Sequence, residues 1–407
     1  MISRPIIEQL PKTDLHVHLD GSIRLDTLIE LAREADVVLP SKTPEGLQET
    51  VFRDTYVNLV EYLQGFAYTV AVMQTEEALE RVAYEFALDN QAEGVRYVEV
   101  RFAPQLHVHA DLTIENVLRA VDRGLSKAKA AYNASPAIAD GREPPFEYSI
   151  IVTALRFFTP DTGAYYRGLL RAHRFSPLKR VYSLASTELA EAAVFVRDEY
   201  DLPITGFDLA GAEAGHPADD HVDAFQIAHE NFLMKTVHAG EAYGPESIFQ
   251  AITQLHAERI GHGTLLLDTS KIESPEIADR QAYVDELAQY IADRRITIEI
   301  CLTSNLQTIP ELGSLANHPY GQMRGRKLST TFCTDNRTVS NTTVTDELLR
   351  ASDAFGLSSK DVKSSIIYGF KRSFYPGTYL EKRRYVRQVM DYYVSLEEQH
   401  EELRIEA

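Results

Sequence analysis

The chain predicts an α/β fold, a closed (β/α)8 barrel of the TIM type forming a single domain over residues 1–407, and three observations lead there. Eight short apolar, β-branched runs are spaced along it, at 14–18, 95–102, 147–153, 204–209, 234–239, 259–262, 297–301 and 328–334. Longer stretches of helical periodicity separate them; in 76–93, Ala78, Leu79, Val82, Ala83, Phe86 and Ala87 fall on one face. Each run is short and largely apolar, as in a parallel sheet covered on both faces. Alternation of β and α alone also fits a doubly wound sheet. The count of eight favours the barrel.

Taken in order, the first run is followed by an insert of about residues 23–73, longer than a barrel connection requires. The helical stretch 76–93 leads into the second run, and 113–132 leads toward the third. Residues 134–146, rich in Pro and Gly, read as a loop and not a domain linker, because the βα rhythm resumes on both sides. A helix at 184–201 precedes the fourth run. The last four runs follow closely, and after Thr345 comes a helical tail. There Ser358-x-x-Asp361 has the form of a capping box, Ser and Asp each satisfying a free N–H of the first turn.

Composition narrows the function. With 41 Lys+Arg against 60 Asp+Glu, the formal net charge is −19. Binding to nucleic acid or to an anionic membrane surface needs clustered cations that release counterions, so neither partner is expected. No run approaches the 18 apolar residues of a membrane span. Residues 1–12 hold no apolar segment of signal-peptide type, and the expected location is cytoplasmic. The two cysteines, Cys301 and Cys333, can build neither a disulfide framework nor a four-thiolate metal site, and read as small buried apolar groups.

The tetrapeptide Leu-His-Val-His occurs twice, at 15–18 and at 106–109. With 13 histidines in the chain, chance supplies about 0.4 His-x-His pairs, so neither copy is informative alone. Context separates them. The first lies on a strand, where alternate residues share a face, and runs into Asp20-Gly21. The second follows Pro104 beyond a strand end, with no other chemistry attached.

Barrel active sites are built at the C-terminal ends of strands. The fifth run ends His238-Ala239-Gly240-Glu241, the sixth Gly261-His262-Gly263, and the eighth Cys333-Thr334-Asp335-Asn336. Imidazoles and a carboxylate converging with His16 and His18 would suit a Zn²⁺-type ion that keeps a position for water. Glu241 reads as an acid/base group beside it. Simpler roles stay open: Glu241 as a solvated carboxylate or a partner for Arg259, Asp335 as a helix cap, and Asp20-Gly21 as a plain turn. The glycines at 211–215 and 261–263 lack the strand–GxGxxG–helix frame of a dinucleotide site.

These motifs occur in one order: Asp14-Leu15-His16-Val17-His18-Leu19-Asp20-Gly21-Ser22, Asp208-Leu209-Ala210-Gly211, Val237-His238-Ala239-Gly240-Glu241, Arg259-Ile260-Gly261-His262-Gly263 and Thr334-Asp335-Asn336. Tyr97-Val98-Glu99-Val100-Arg101 and the run from Leu302 to Thr308 add to them. Over roughly residues 10–350 the chain closely resembles the adenosine deaminase family of the amidohydrolase superfamily. The resemblance implies one zinc per chain on His16, His18, His238 and Asp335, a water that His262 orients and whose proton it accepts or stabilises, and Glu241 as proton donor to purine N1. It implies further that Asp20 meets the ribose, Gly211 meets N3, Asn336 faces N7, and His18 borders the substrate. Tyr62, Leu63 and Phe66 would form a lid over the base, although helical amphipathicity produces the same pattern. The implied reaction is hydrolysis of adenosine, and of 2′-deoxyadenosine, to inosine and ammonia.

Many members have a second aspartate where this chain has Asn336, and a proline where it has Arg337, which bears on substrate preference and not on the reaction. The same motifs suit a deaminase of adenine or of a modified adenosine of aminofutalosine or alkylthio type. A binuclear site would call for a bridging lysine on the fourth run, which has none. Deaminases acting on nucleic acid use a His-x-Glu and Pro-Cys-x-x-Cys zinc frame that two isolated cysteines cannot supply. A catalytically inactive barrel serving as a binding protein would show a lost ligand or a lost Glu241, and all are present.

Overall fold

In the computed structural model, which describes residues 2–404, the eight runs are eight parallel strands in the order of the chain. They are β1 (Lys12–His18), β2 (Val95–Phe102), β3 (Glu147–Leu155), β4 (Ile204–Ala210), β5 (Met234–Ala239), β6 (Arg259–His262), β7 (Thr297–Ile300) and β8 (Ser329–Phe332). Neighbouring ladders run from β1 to β8, and a parallel bridge between Val17 and Asp335 brings the last strand back to the first. Two bonds fasten that seam: Asp335 N–H to His16 O at 2.8 Å, and His18 N–H to Asp335 O at 2.7 Å. The predicted barrel is the observed one.

Every residue of β2, β6, β7 and β8 is buried, as double-sided covering requires. The predicted helices form at Glu76–Ala92 and Ile114–Asn133, each capped by a threonine hydroxyl, Thr75 and Thr113, that accepts an N–H of the first turn. The helix before β4 begins earlier than expected, at Leu178 instead of 184, because Pro177 sets its entry; its first three residues, Leu178, Lys179 and Arg180, are exposed and give no apolar periodicity. The loop at 134–146 contains one short helical turn, Pro136–Ala139. The insert after β1 folds into short helices that include Leu59–Leu63 and Phe66–Val72. The tail is helical, and the Ser358–Asp361 capping box forms with both reciprocal bonds. No helix among the described residues is long and apolar enough to cross a membrane. Cys301 and Cys333 are buried free thiols.

The barrel interior departs from the usual filling of Val, Ile and Leu. Glu99, Arg101, Arg259 and Glu299 lie inside it with almost no solvent contact. Arg259 pairs with Glu99 and, through Nε, with Glu299 at 2.6 Å, while Arg101 donates to Glu299 at 2.9 Å. Desolvating four charges is unfavourable unless each is paired and hydrogen-bonded, and here each is. This network forms the floor beneath the strand ends.

Candidate active site

Alternation on β1 points His16 and His18 to one side, and both rings reach the C-terminal mouth of the barrel. His238 arrives from the end of β5, His262 from the end of β6, and Asp335 from just past β8. Ring centroids of His16 lie 4.5 Å from His238, 4.8 Å from His262 and 5.5 Å from His18. Ligand atoms of His16, His238, His262 and Asp335 all fall within 4.8 Å of one another. His18 closes the group, its Nε2 3.2 Å from His238 Nε2 and 3.4 Å from Asp335 Oδ1.

The backbone is shaped to allow this convergence. Gly261 carries no Cβ because one would lie 2.8 Å from Cε1 of His16. His262 and Asp335 hold positive φ, 64° and 61°, conformations that non-glycine residues avoid and that cluster where function demands an aim. Asp335 is therefore no helix cap. Glu241 is no partner of Arg259, whose guanidinium is taken by Glu99 and Glu299.

Whether a metal fits is decided by the outer nitrogens. His16 Nδ1 lies 2.7 Å from Glu299 Oε2, and His238 Nδ1 lies 3.1 Å from Asp208 Oδ1. A carboxylate can only accept, so each Nδ1 carries the proton and each Nε2 offers a lone pair to the centre. Buried His16 Nε2 has no hydrogen-bond partner. Burial pushes His18 and His238 below the usual imidazole range, so they too offer lone pairs. At His16, burial and Arg101 are outweighed by Asp335 and Glu299, which draw positive charge to the spot. Burial would raise the Asp335 carboxyl, but His16, His262 and His18 hold it well below its ordinary value. Converging lone pairs around an ionised carboxylate, with Ser304 Oγ donating to its other oxygen at 2.6 Å, fit a metal cation.

Glu241 lies beside this centre, its Oε1 3.9 Å from His262 Nε2. Burial, then the like charges of Asp335 and Glu213, push its carboxyl up to about 8. That shift favours its protonated form. Its backbone is fixed from below by Glu213, whose carboxylate accepts the N–H groups of Gly240, Glu241, Ala242 and Tyr243.

With the geometry set out, comparison with known proteins decides the family. The chain matches the adenosine deaminase family model over residues 11–392. The chain belongs to the adenosine deaminase family. An adenosine deaminase of Mycolicibacterium vanbaalenii is 38% identical over 371 residues, 90% of this chain and 91% of that protein. The fold also matches an amidohydrolase of Burkholderia ambifaria solved with bound Zn, at TM-score 0.73 and 20% identity, over 98% of this chain and 96% of that one. An adenine deaminase of Arthrobacter aurescens superposes at TM-score 0.71 and 21% identity, over 94% of this chain and 99% of that one.

Other expected positions of this family member sort differently. Asp20 is buried with Oδ1 unpartnered, and burial pushes its carboxyl up to about 7. Gly21 can have no side chain, since a Cβ would meet Asn336 Oδ1 at 1.9 Å. Gly211 follows the end of β4, at φ 95°. Asn336 Nδ2 donates to Tyr62 Oη at 2.7 Å, and Tyr62 also bonds Ser340 at 2.8 Å, so the insert reaches the end of β8 through that ring. Leu63 and Phe66 are half-buried and pack against the main core. His107 and His109 stand apart, bonded to the carbonyls of Met73 and Gln74.

Sequence reasoning gave no role to Asp208, Glu213, Glu299 or Asn305. A signal existed for two of them. Asp208 and Glu299 are carboxylates inside apolar strand runs, Phe207-Asp208-Leu209 and Ile298-Glu299-Ile300, and a buried acid needs a partner.

Proposed function

We propose that the protein hydrolyses adenosine, and 2′-deoxyadenosine, to inosine and ammonia, with one zinc ion per chain on His16, His18, His238 and Asp335. The observation that carries the reading is geometric: His16, His18, His238, His262 and Asp335 converge at one rim, with buried Glu241 beside them 3.9 Å from His262. When bound, such an ion supplies a water that ionises near neutral pH.

The protein's own groups supply the rest. Amino nitrogen is a poor leaving group on an aromatic ring, so C6 must be made electrophilic. Glu241 donates its proton to N1. His262 orients the attacking water at C6, where a C–O bond forms and the C–N bond to the amino group then breaks. Of the two water protons, one leaves with ammonia and the other restores Glu241. Asp20 accepts from a ribose hydroxyl, and the backbone N–H at Gly211 donates to N3. An amide has two N–H groups, so Asn336 can hold Tyr62 with one and face N7 with the other. His18 borders the substrate, and Tyr62, Leu63 and Phe66 cover the base. Two buried thiols support the cytoplasm as the compartment.

The test is a steady-state comparison of adenosine, 2′-deoxyadenosine, adenine and 5′-modified adenosines by absorbance and ammonia release. Adenosine is expected to be the best substrate together with its deoxy form. Preference for adenine or a 5′-modified nucleoside would overturn the substrate assignment, and no ammonia from any of them would overturn the reaction. Glu241→Gln keeps the fold and the metal and lowers kcat by at least about 10²-fold. Near-parent kcat in that variant would remove Glu241 as the N1 donor.

A further inference from the structure

Three buried groups outside the proposed ligand set form a chain that ends on His262. His318 Nδ1 receives the backbone N–H of Tyr320 at 3.1 Å. His318 Nε2 lies 3.1 Å from Asn305 Oδ1, and Asn305 Nδ2 lies 3.0 Å from His262 Nδ1. His318, Asn305 and His262 are each buried. An asparagine amide and a neutral imidazole can each be read two ways round, so their orientations must be fixed by a neighbour whose direction is certain.

Tyr320 provides that certainty, because a backbone N–H can only donate. His318 Nδ1 must then be an acceptor and bears no proton. Burial pushes His318 down to about 4, so the ring is neutral and its single proton sits on Nε2. That Nε2–H donates, which fixes the facing amide atom of Asn305 as oxygen. The amide nitrogen is thereby turned to His262, and it donates to Nδ1. With its Nδ1 accepting that N–H, the His262 ring carries its proton on Nε2, the nitrogen that faces Glu241 and the neighbouring histidines.

We infer that His318 and Asn305 are positioning residues that set the tautomer of His262, holding Nε2–H toward the reacting water. The inference rests on the deaminase reading for what His262 touches, but not for the tautomer itself. It decides between two roles for that ring. An Nε2 that already bears hydrogen orients the water's oxygen by donating to it and does not take its proton. Nor can a protonated Nε2 ligate a metal, which is why His262 stands within the cluster without belonging to the ligand set.

Selective ¹⁵N-histidine labelling of the zinc-loaded protein, read by long-range ¹H–¹⁵N spectra without substrate, tests this directly. A His262→Asn variant assigns the resonances. The expected result is Nε2–H at both His262 and His318. Asn305→Asp presents an acceptor to Nδ1, and His262 is expected to switch to Nδ1–H. One metal per chain should be retained while kcat falls about 10- to 100-fold, the usual size of a supporting-group effect, and KM changes little. His318→Gln, whose amide can donate to Asn305 Oδ1, should keep the parent tautomer and most of kcat, whereas His318→Leu should give a mixture of tautomers. Nδ1–H at His262 in the parent, or an unchanged tautomer in Asn305→Asp, would overturn the inference. Should Asn305→Asp fail to fold, the parent spectrum and His318→Gln still decide. A protein that deaminates no purine but shows Nε2–H would refute the function and leave the relay standing.

Discussion

Residues 15–18 and 106–109 spell the same tetrapeptide, and the barrel uses them in opposite ways. In the first copy both imidazoles lie on β1 and face the mouth, and the outer nitrogen of His16 is held by the carboxylate of Glu299. In the second copy the backbone has left β2 through a 3₁₀ turn, Pro104–Leu106, and the rings point back at the insert. His107 Nδ1 lies 2.8 Å from Met73 O and His109 Nε2 3.0 Å from Gln74 O, so this pair pins the chain that follows the Phe66–Val72 helix. The lesson lies in what the second nitrogen meets. A buried carboxylate fixes the proton on one side of the ring and turns the lone pair on the other side toward the converging group. A carbonyl does the same, but the remaining Nε2 of His107 meets no partner, and the remaining Nδ1 of His109 accepts only the Asp111 N–H at 3.3 Å.

That difference gives the largest expected effect. His16→Ala or His18→Ala should take the protein from about one metal ion per chain to substoichiometric metal, with turnover falling to background, since an open site of three His and one Asp loses its geometry with any ligand. Elemental analysis and the ammonia assay check it. The double variant His107→Ala, His109→Ala should retain metal and kcat in its folded fraction. Equal metal loss in both variants would mean that the second pair also belongs to the site.

The next effect probes the supports. Asp208 accepts from His238 Nδ1 and also faces Arg101 at 3.4 Å. Asp208→Asn should keep the fold, because the amide oxygen can still accept, yet weaken metal binding by about 10- to 100-fold. Competition with a chelator measures it. Parent-like affinity would show that His238 is oriented by its strand alone.

These supports also mark where the sequence stopped being readable. The strands were legible because a short apolar run between helical stretches is a local signal, and the boundaries of β2, β5 and β6 fall where that signal does. His16, His18, His238, His262 and Asp335 were legible for the same reason: each sits at or near a strand end, and barrel topology brings all strand ends to one rim. Glu299 is 283 residues from His16, and Asn305 is 43 from His262. Such pairings are set by which strands become neighbours, and no window of sequence contains both partners. The helical turn at Pro136–Ala139 was hidden for a different reason, since one turn flanked by proline and glycine has the composition of a loop.

The smallest effect separates the two tetrapeptides by pH. His107 is buried and neutral, and burial pushes it down to about 4, against about 6.5 for an exposed imidazole. Above pH 6.5 neither the folded nor the unfolded chain protonates this residue, and its contribution does not depend on pH. Between 6.5 and 4 the unfolded chain takes up a proton that the folded ring refuses, so stability falls as pH falls; below 4 the two forms again bind alike. The whole window amounts to about 3 kcal/mol at most, from roughly 2.5 units at 1.36 kcal/mol each. For a chain of this length that is a few degrees of melting temperature. His107→Gln can keep a donor to the Met73 carbonyl and removes the titration, so the difference in melting temperature between parent and variant should change by those few degrees between pH 7 and pH 4.5. Metal content and kcat at neutral pH should not move. A constant difference across that range would mean that His107 accepts a proton while folded, and that its hold on Met73 is looser than 2.8 Å implies.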